Sequence, residues 1–271
     1  MSAGARSDDD VQPGVPFTGN PADSGTGALR VIHDLPATGP VNMARDEALL
    51  ALIGRGAIGL TLRLYEWSEP TISLGYFQRY ADYQALPPPA GGLPVVRRLT
   101  GGGAILHDRE LTYSLVLPIH HPSIAGRPTR LYEIVHEALI RCLSAAGVMS
   151  TISGLDDGSS PTRGPFFCFA RRHPLDVVIR DAKLAGSAQR RTREAVLQHG
   201  SIIVARRFDQ QPAATLIRSG IDTHHLRKTL PQAIASALGA QWSITERSND
   251  ELALADELSA KYADAAWTLR R

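Results

Sequence analysis

The chain has 271 residues, 43% hydrophobic and 21% charged, with 29 Lys and Arg against 27 Asp and Glu for a formal net charge of +2. That is ordinary globular composition, long enough for one large domain or two small ones and apolar enough to bury a sizeable core. A balance so near neutral argues against a nucleic-acid binder, which carries a clustered basic face, and two cysteines without C-x-x-C or zinc-spaced His/Cys clusters indicate neither a disulfide framework nor a metal site.

Residues 1–27 are rich in Gly, Ser, Asp, Pro and Ala and are expected to be disordered. They hold no apolar run of signal-peptide length, and no later stretch is long enough to span a bilayer, so a reducing, cytoplasmic setting with no membrane partner is expected. Ala28-Leu29-Arg30-Val31-Ile32 predicts a first strand. Asn42 stands where a helix N-cap is expected, and Ala44, Ala48, Ala51 and Leu52 recur at helical spacing until Gly54 and Gly56 end the run. Leu60 to Trp67 alternates at period two and Thr71 to Gly75 follows the Ser68 to Pro70 turn, predicting two strands. Tyr76-Phe77-Gln78-Arg79-Tyr80 presents aromatics that either line a pocket or pack in the core.

Pro94 to Arg98 predicts a strand that delivers the chain into Leu99-Thr100-Gly101-Gly102-Gly103, and Ala104 to Leu106 and Leu111 to Leu117 supply two more. Thr129 opens a long helix with Leu131, Ile134, Val135, Ala138, Leu139, Cys142 and Leu143 on one face, so Cys142 reads as a small buried hydrophobe. Met149 to Ile152 predicts a short strand and Gly154 to Gly164 a mobile loop. Leu175 to Arg180 and Ser201 to Val204 read as strands with Lys183 to Gln189 between them. From Phe208 the pattern becomes helical over Gln211–Ile217, His225–Leu238 and Asp250–Tyr262, with Pro231 placing a break or a first-turn position in the second. Strands and helices do not alternate strictly, so an α+β fold, a mixed and largely antiparallel sheet packed with helices, is favoured over a doubly wound one.

Two segments carry chemistry. In Arg97-Arg98-Leu99-Thr100-Gly101-Gly102-Gly103-Ala104-Ile105-Leu106-His107-Asp108, three glycines without Cβ atoms let something approach the backbone closely. The plainer reading is a tight turn with an incidental His-Asp contact. Neither the P-loop nor the dinucleotide glycine spacing is present. In Phe166-Phe167-Cys168-Phe169, Cys168 lies at the exit of the loop, with Lys183 fifteen residues on. A thiolate is the strongest common nucleophile near neutral pH, and a nearby ammonium favours that charged form. Lys183 is a candidate for this cation and for a donor to a thioester oxygen as charge develops there. The competing reading is a cysteine buried among phenylalanines and a surface lysine in a turn.

The glycine segment, together with Lys183-Leu184-Ala185-Gly186-Ser187-Ala188-Gln189, resembles the biotin/lipoate protein ligase superfamily over roughly residues 28 to 267. Asn42 to Glu47, Pro70 to Gln78, Glu110 to Ser114 and Gln198 to Ser201 are further matching pieces. Within it the chain is most similar to the octanoyltransferases that use a cysteine, which matches Cys168 and Lys183 as the catalytic pair. The resemblance implies substrate-binding roles for Tyr76, Arg98, Gly101, Gly102, Gly103, His107, Gly186, Ser187, Ala188 and His199. It also implies transfer of an octanoyl group from acyl carrier protein, or from an octanoylated glycine-cleavage carrier protein, to a lysine of a lipoyl domain. No cofactor is expected, because a thioester arrives already activated. The implied layout is a tail (1–27), a catalytic domain of the ligase type (28–207) and a helical C-terminal extension on the same domain (208–271). Arg171-Arg172-His173 departs from the family pattern and bears on substrate preference. The alternatives are an ATP-dependent lipoate ligase, in which Cys168 has no necessary role and for which the tail after Arg207 looks short, and a non-catalytic acyl-binding or carrier-binding protein.

Overall fold

A computed structural model describes residues 27–158 and 164–271. The tail expected to be disordered, up to residue 26, and residues 159–163 of the loop expected to be mobile lie outside the described residues. β1 (Leu29–His33) and α1 (Gly39–Gly54) come first, followed by β2 (Thr61–Tyr65) and β3 (Thr71–Leu74). After the short α2 (Tyr80–Gln84) come β4 (Val95–Arg97), β5 (Ile105–His107), β6 (Glu110–Pro118) and α3 (Arg130–Ala145). β7 (Thr151–Ile152), β8 (Val177–Ile179), β9 (Ala182–Arg191) and β10 (Ala195–Ile203) follow. The chain then runs through α4 (Thr223–Leu238), β11 (Trp242–Ile244), α5 (Asn249–Ala263) and α6 (Ala265–Thr268).

Eight strands form one mixed sheet in the order β11-β1-β2-β6-β10-β9-β8-β7, and β4-β3-β5 form a smaller one. In the large sheet β1 runs parallel to β2 and β11, and the remaining neighbours are antiparallel. The fold is therefore α+β with a largely antiparallel sheet, as the irregular order of strands and helices predicts.

The period of two along a strand decides what each sheet face carries. Leu111, Tyr113, Leu115 and Leu117 of β6 join a core with Leu131, Val135 and Leu139 of α3 and Leu226, Leu230 and Ile234 of α4. Each fully buried Leu or Ile contributes about 1.5–3 kcal/mol, so this layer is the main apolar store of the fold. On the opposite face Val116 and Leu197 lie under Leu49, Leu50 and Ile53 of α1. Further along that same face the residues become Ser114, Thr112 and Glu110 on β6 and His199 and Ser201 on β10, all buried. Buried polar groups need partners. The smaller sheet supplies some of them, and His107 of β5 reaches Glu110 Oε1 with Nδ1 at 2.7 Å.

Several local expectations are corrected. Thr38, not Asn42, is the N-cap of α1, because Pro40 pre-sets the first turn. Asn42 is fully buried instead, donating to Ala37 O and Glu66 O and accepting from Arg63. Lys183 to Gln189 is not a connection but the body of β9, hydrogen-bonded to β10. Gln211–Ile217 forms no α-helix; the Gln211 side chain pairs with both main-chain groups of Leu106 at 2.8 Å and so extends the edge of β5. α4 runs through Pro231 without a break, since the burial of Leu226, Leu230 and Ile234 around it outweighs one lost backbone bond. The segment after Phe208 is not purely helical, as β11 adds a strand beside β1.

Candidate active site

The glycine loop is held by the arginines that precede it. Arg98 is buried, and its five N–H donors go to Thr100 Oγ1, Ser73 O, Ser73 Oγ, Gly101 O and Gly103 O. Burial pulls its pKa down to about 10, which still leaves it charged at neutral pH. Arg97 donates to the carbonyls of Gly75, Tyr76, Gln78 and Thr268 and so ties β4 to α6. Gly102 has φ +90°, a conformation that favours glycine. A Cβ on Gly75 would stand 2.1 Å from Gly102 O, so the loop can fold back only over glycine. These contacts make a rigid wall from a stretch that composition alone would class as flexible.

Against that wall stands Cys168. Its amide donates to Ala104 O at 2.7 Å, and a Cβ on Gly103 would lie 2.9 Å from the Cys168 amide nitrogen. The thiol is half-buried, with Lys183 Nζ 3.6 Å from Sγ. Lys183 is itself buried, and its Nζ also lies 3.4 Å from Cys168 O and 2.8 Å from Asp176 Oδ2. Burial works against the ammonium, but the Cys168 thiolate and the Asp176 carboxylate outweigh it and raise the Lys183 pKa. The structure thus removes the competing picture of a surface lysine in a turn. Asp176, which spacing did not single out, completes the group.

Cys168 sits at the junction of two hollows. The inner one is lined by Met43, Tyr65, Trp67 and Ile105 together with the polar residues below. The outer and more open one is bordered by Lys183, Asp176, Tyr132 and Arg172. Gly102, Ser187 and Ala188 border both, Gly101 and Gly103 border the outer, and Arg98, His107, Gly186 and His199 border the inner. Tyr76 borders neither; its hydroxyl accepts from Arg270 and its ring lies beside Trp267. Of the other aromatics of that stretch, Phe77 is 41% exposed, while Tyr80 packs against the apolar cluster of Ile72, Leu74 and Tyr83.

The two inner histidines are fixed by carboxylates. His107 does not contact Asp108, as the His-Asp pair implied; Asp108 bonds Arg207, while His107 Nδ1 donates to Glu110 and Nε2 accepts from Ser73 Oγ. It stacks on Trp67 at 3.8 Å, and burial lowers its pKa, so it is a neutral floor to the cavity. His199 Nδ1 donates to Asp46 Oδ2 at 2.9 Å, leaving Nε2 to accept from Thr100 Oγ1 at 2.6 Å. Burial disfavours the Asp46 carboxylate, but Arg63, bonded to Oδ1 at 2.6 Å, lowers its pKa overall. Asp46 and His136 also escaped the sequence reading. His136 shares the buried face of α3 with Leu139 and Leu143, three and seven residues on, and a polar residue in that stripe was the available signal.

With this geometry in place, comparison with known proteins is informative. The lipoyl protein ligase A/B catalytic domain matches residues 38–241. An octanoyltransferase LipM of Kyrpidia tusciae is 35% identical over 89% of this chain and 98% of its own length. The LipM of Staphylococcus aureus is 30% identical over 85% of this chain and 94% of its own. Among solved structures, lipoate-protein ligase A bound with ATP superposes with a TM-score of 0.73 at 22% identity, covering 89% of this chain and 98% of its own. Protein Ta0514 of T. acidophilum with bound lipoic acid gives 0.72 at 24%, covering 90% and 99%. At these identities the structures bear on the fold, which they share with this chain. On the match over most of its length and on relatives at 30% identity or more, the chain belongs to the lipoyl protein ligase A/B catalytic-domain family.

Proposed function

We propose that the protein moves an octanoyl group from a carrier thioester to the lysine amine of a lipoyl domain through an acyl-enzyme on Cys168. The observation that carries this reading is the Cys168 Sγ at 3.6 Å from a buried Lys183 ammonium, at the meeting point of an inner and an outer hollow. The octanoyltransferases among its relatives support the class of reaction. The donor is acyl carrier protein or an octanoylated glycine-cleavage carrier protein.

In the first half-reaction the Cys168 thiolate attacks the thioester carbonyl, a new C–S bond forms, and the carrier leaves as its thiolate. Negative charge develops on the carbonyl oxygen in between. Lys183 keeps its 2.8 Å bond to Asp176 while its longer contacts, at 3.4 and 3.6 Å, give way to that oxygen. In the second half-reaction the acceptor amine attacks the Cys168 thioester, the C–N bond forms, and Cys168 departs as a thiolate beside Lys183. The amine, neutral when it attacks, gives up one proton to solvent as the amide forms. A thioester becomes an amide, so the transfer runs downhill without ATP.

Incubation with octanoyl carrier protein in the absence of ATP should add one octanoyl mass to a peptide containing Cys168, and Cys168→Ser should abolish both the adduct and transfer. Transfer that appears only with ATP and free octanoate, or that survives in Cys168→Ser, overturns the reading.

A further inference from the structure

Behind Ser187 a hydrogen-bond chain runs from exposed Arg191 inward through the buried Gln198 and Tyr113 to buried His136, and its direction is fixed at both ends. At one end Arg191, which can only donate, holds Gln189 Oε1 at 3.1 Å. That turns Gln189 Nε2 toward Gln198 Oε1, at 2.9 Å, and Gln198 Nε2 toward the Tyr113 hydroxyl oxygen, at 3.0 Å. The Tyr113 O–H is then free to donate to Ser187 Oγ, which it touches closely. At the other end Leu175 O, which can only accept, lies 2.5 Å from His136 Nδ1, so the histidine proton sits there. His136 Nε2, left with its lone pair, lies 2.5 Å from Ser187 Oγ and accepts its proton.

Both ends therefore impose the same arrangement on Ser187. Its hydroxyl hydrogen points to His136, one lone pair takes the Tyr113 proton, and one lone pair remains. Ser187 borders both hollows together with Cys168. Burial pushes the His136 pKa down to about 4, with Asp176, Lys183 and His173 as its charged or titratable neighbours and the Tyr132 ring against it. The histidine stays a neutral acceptor at neutral pH, and the serine keeps its orientation.

We propose that His136 is a positioning residue for the second half-reaction, holding Ser187 so that its remaining lone pair accepts an N–H of the incoming lysine amine and aims the nitrogen at the Cys168 thioester. This deepens the acyl-enzyme reading and rests on it. An amine entering a site that already holds the Lys183 ammonium is favoured in its neutral form, and a neutral amine has two N–H donors and one lone pair. Fixing one donor on Ser187 orients the lone pair. Gly200, opposite Ser187 in the sheet, allows the contact, since a Cβ there would lie 2.7 Å from Ser187 Oγ.

The test separates the half-reactions. His136→Phe should form the octanoyl adduct on Cys168 at close to the wild-type rate, yet pass it to a lipoyl-domain lysine about tenfold more slowly or worse, the loss expected for one hydrogen bond to a reacting group, and Ser187→Ala should slow lysine transfer at least as much. His136→Gln, which returns an acceptor near the Nε2 position, should recover most of the rate. Hydroxylamine, uncharged at neutral pH and small enough not to need aiming, should discharge wild-type and variant adducts equally. Equal slowing of adduct formation and lysine transfer, slowed discharge by hydroxylamine, or wild-type transfer in Ser187→Ala overturns the inference while leaving the acyl-enzyme reading intact. Absence of any adduct in the wild type removes both.

Discussion

Gly103→Ala tests whether the glycine loop acts on the nucleophile through packing. A Cβ at this position would lie 2.7 Å from Arg171 Nε, 2.9 Å from the Cys168 amide nitrogen and 3.0 Å from Arg171 Cζ. Gly103, unlike Gly102, is not in the left-handed region, so alanine meets no backbone penalty and the collision alone is probed. The Cys168 amide is the harder neighbour to move because it is bonded to Ala104 O at 2.7 Å. Restoring an ordinary contact of about 3.5 Å requires the Cys168 backbone to retreat by roughly half an ångström. Overpacking of this kind costs about 1–3 kcal/mol, and a misplacement approaching 1 Å at a reacting group costs up to about a hundredfold in rate. Intact-mass kinetics with octanoyl carrier protein in excess should show adduct formation slowed by about ten- to a hundredfold. Thermal denaturation should report a fall of several degrees. Adding Arg171→Ala should not restore the rate, because the clash with the Cys168 amide persists. A wild-type rate in the single variant, or full recovery in the double, refutes the reasoning.

Asp176→Asn removes the carboxylate that holds Lys183 and leaves a buried ammonium short of a partner, a loss of about 3–5 kcal/mol in denaturant titration together with slowed adduct formation. Because the folded Lys183 pKa is raised, its contribution is complete below the unfolded value of about 10.4. The stability gap to wild type should therefore persist through pH 7–9 and close only above about pH 10.4. Asp46→Asn breaks the group of Arg63, Tyr65 and His199, with a comparable loss of about 3–5 kcal/mol at pH 7. Here the folded pKa is lowered, so the contribution is complete above the unfolded value of about 3.9, and the gap should narrow as pH falls below it; a gap that stays constant down to pH 3 would count against the assignment. Arg97→Met frees Thr268 O and should make the chain after α5 sensitive to limited proteolysis under conditions where wild type resists.

How much of this was legible in the sequence follows from which signals are local. Alternation over Leu60–Trp67, the apolar run Leu111–Leu117 and the apolar stripe from Leu131 to Leu143 found β2, β6 and α3, because strands buried on both faces and a helix buried on one carry their apolar residues locally. Lys183–Gln189 was missed as a strand because Gly186, Ser187 and Ala188 have little strand propensity; what makes them a strand is pairing with β10. Gln211 looked helical, and its role as an edge partner for Leu106 depends on a residue more than a hundred positions away. Chemistry and resemblance brought Cys168 and Lys183 forward together, and they stand 3.6 Å apart. Asp176 could not be found in this way, since it lies in no motif and acts through contacts made only on folding, whereas His136 left a signal as a polar residue in the apolar stripe of α3. Another readable signal was passed over. The runs Glu110-x-Thr112-x-Ser114 and His199-x-Ser201 place polar residues at period two inside strands that are otherwise apolar, and that face is where the inner hollow lies.

The glycines of the site share a physical logic different from that of a ligand cradle. A Cβ on Gly103 would overlap Arg171 and the Cys168 amide, and one on Gly186 would stand 2.4 Å from Lys183 Cε and 2.7 Å from its Nζ. One on Gly200 would stand 2.7 Å from Ser187 Oγ. In each case the space a side chain would fill is taken by the protein's own functional group. Segments far apart in sequence, the glycine loop and the β9–β10 pair, can then close around the Cys168 thiol, the Lys183 ammonium and the Ser187 hydroxyl. Glycine costs conformational entropy at every such position, and the cost is offset by the buried bonds that close approach permits, from Arg98 around the loop to Asp176 on Lys183. Flexibility in the sequence thus becomes rigidity in the fold. That rigidity suits the two-step transfer we propose, in which the same thiol must be correctly placed for a carrier arriving first and an amine arriving second.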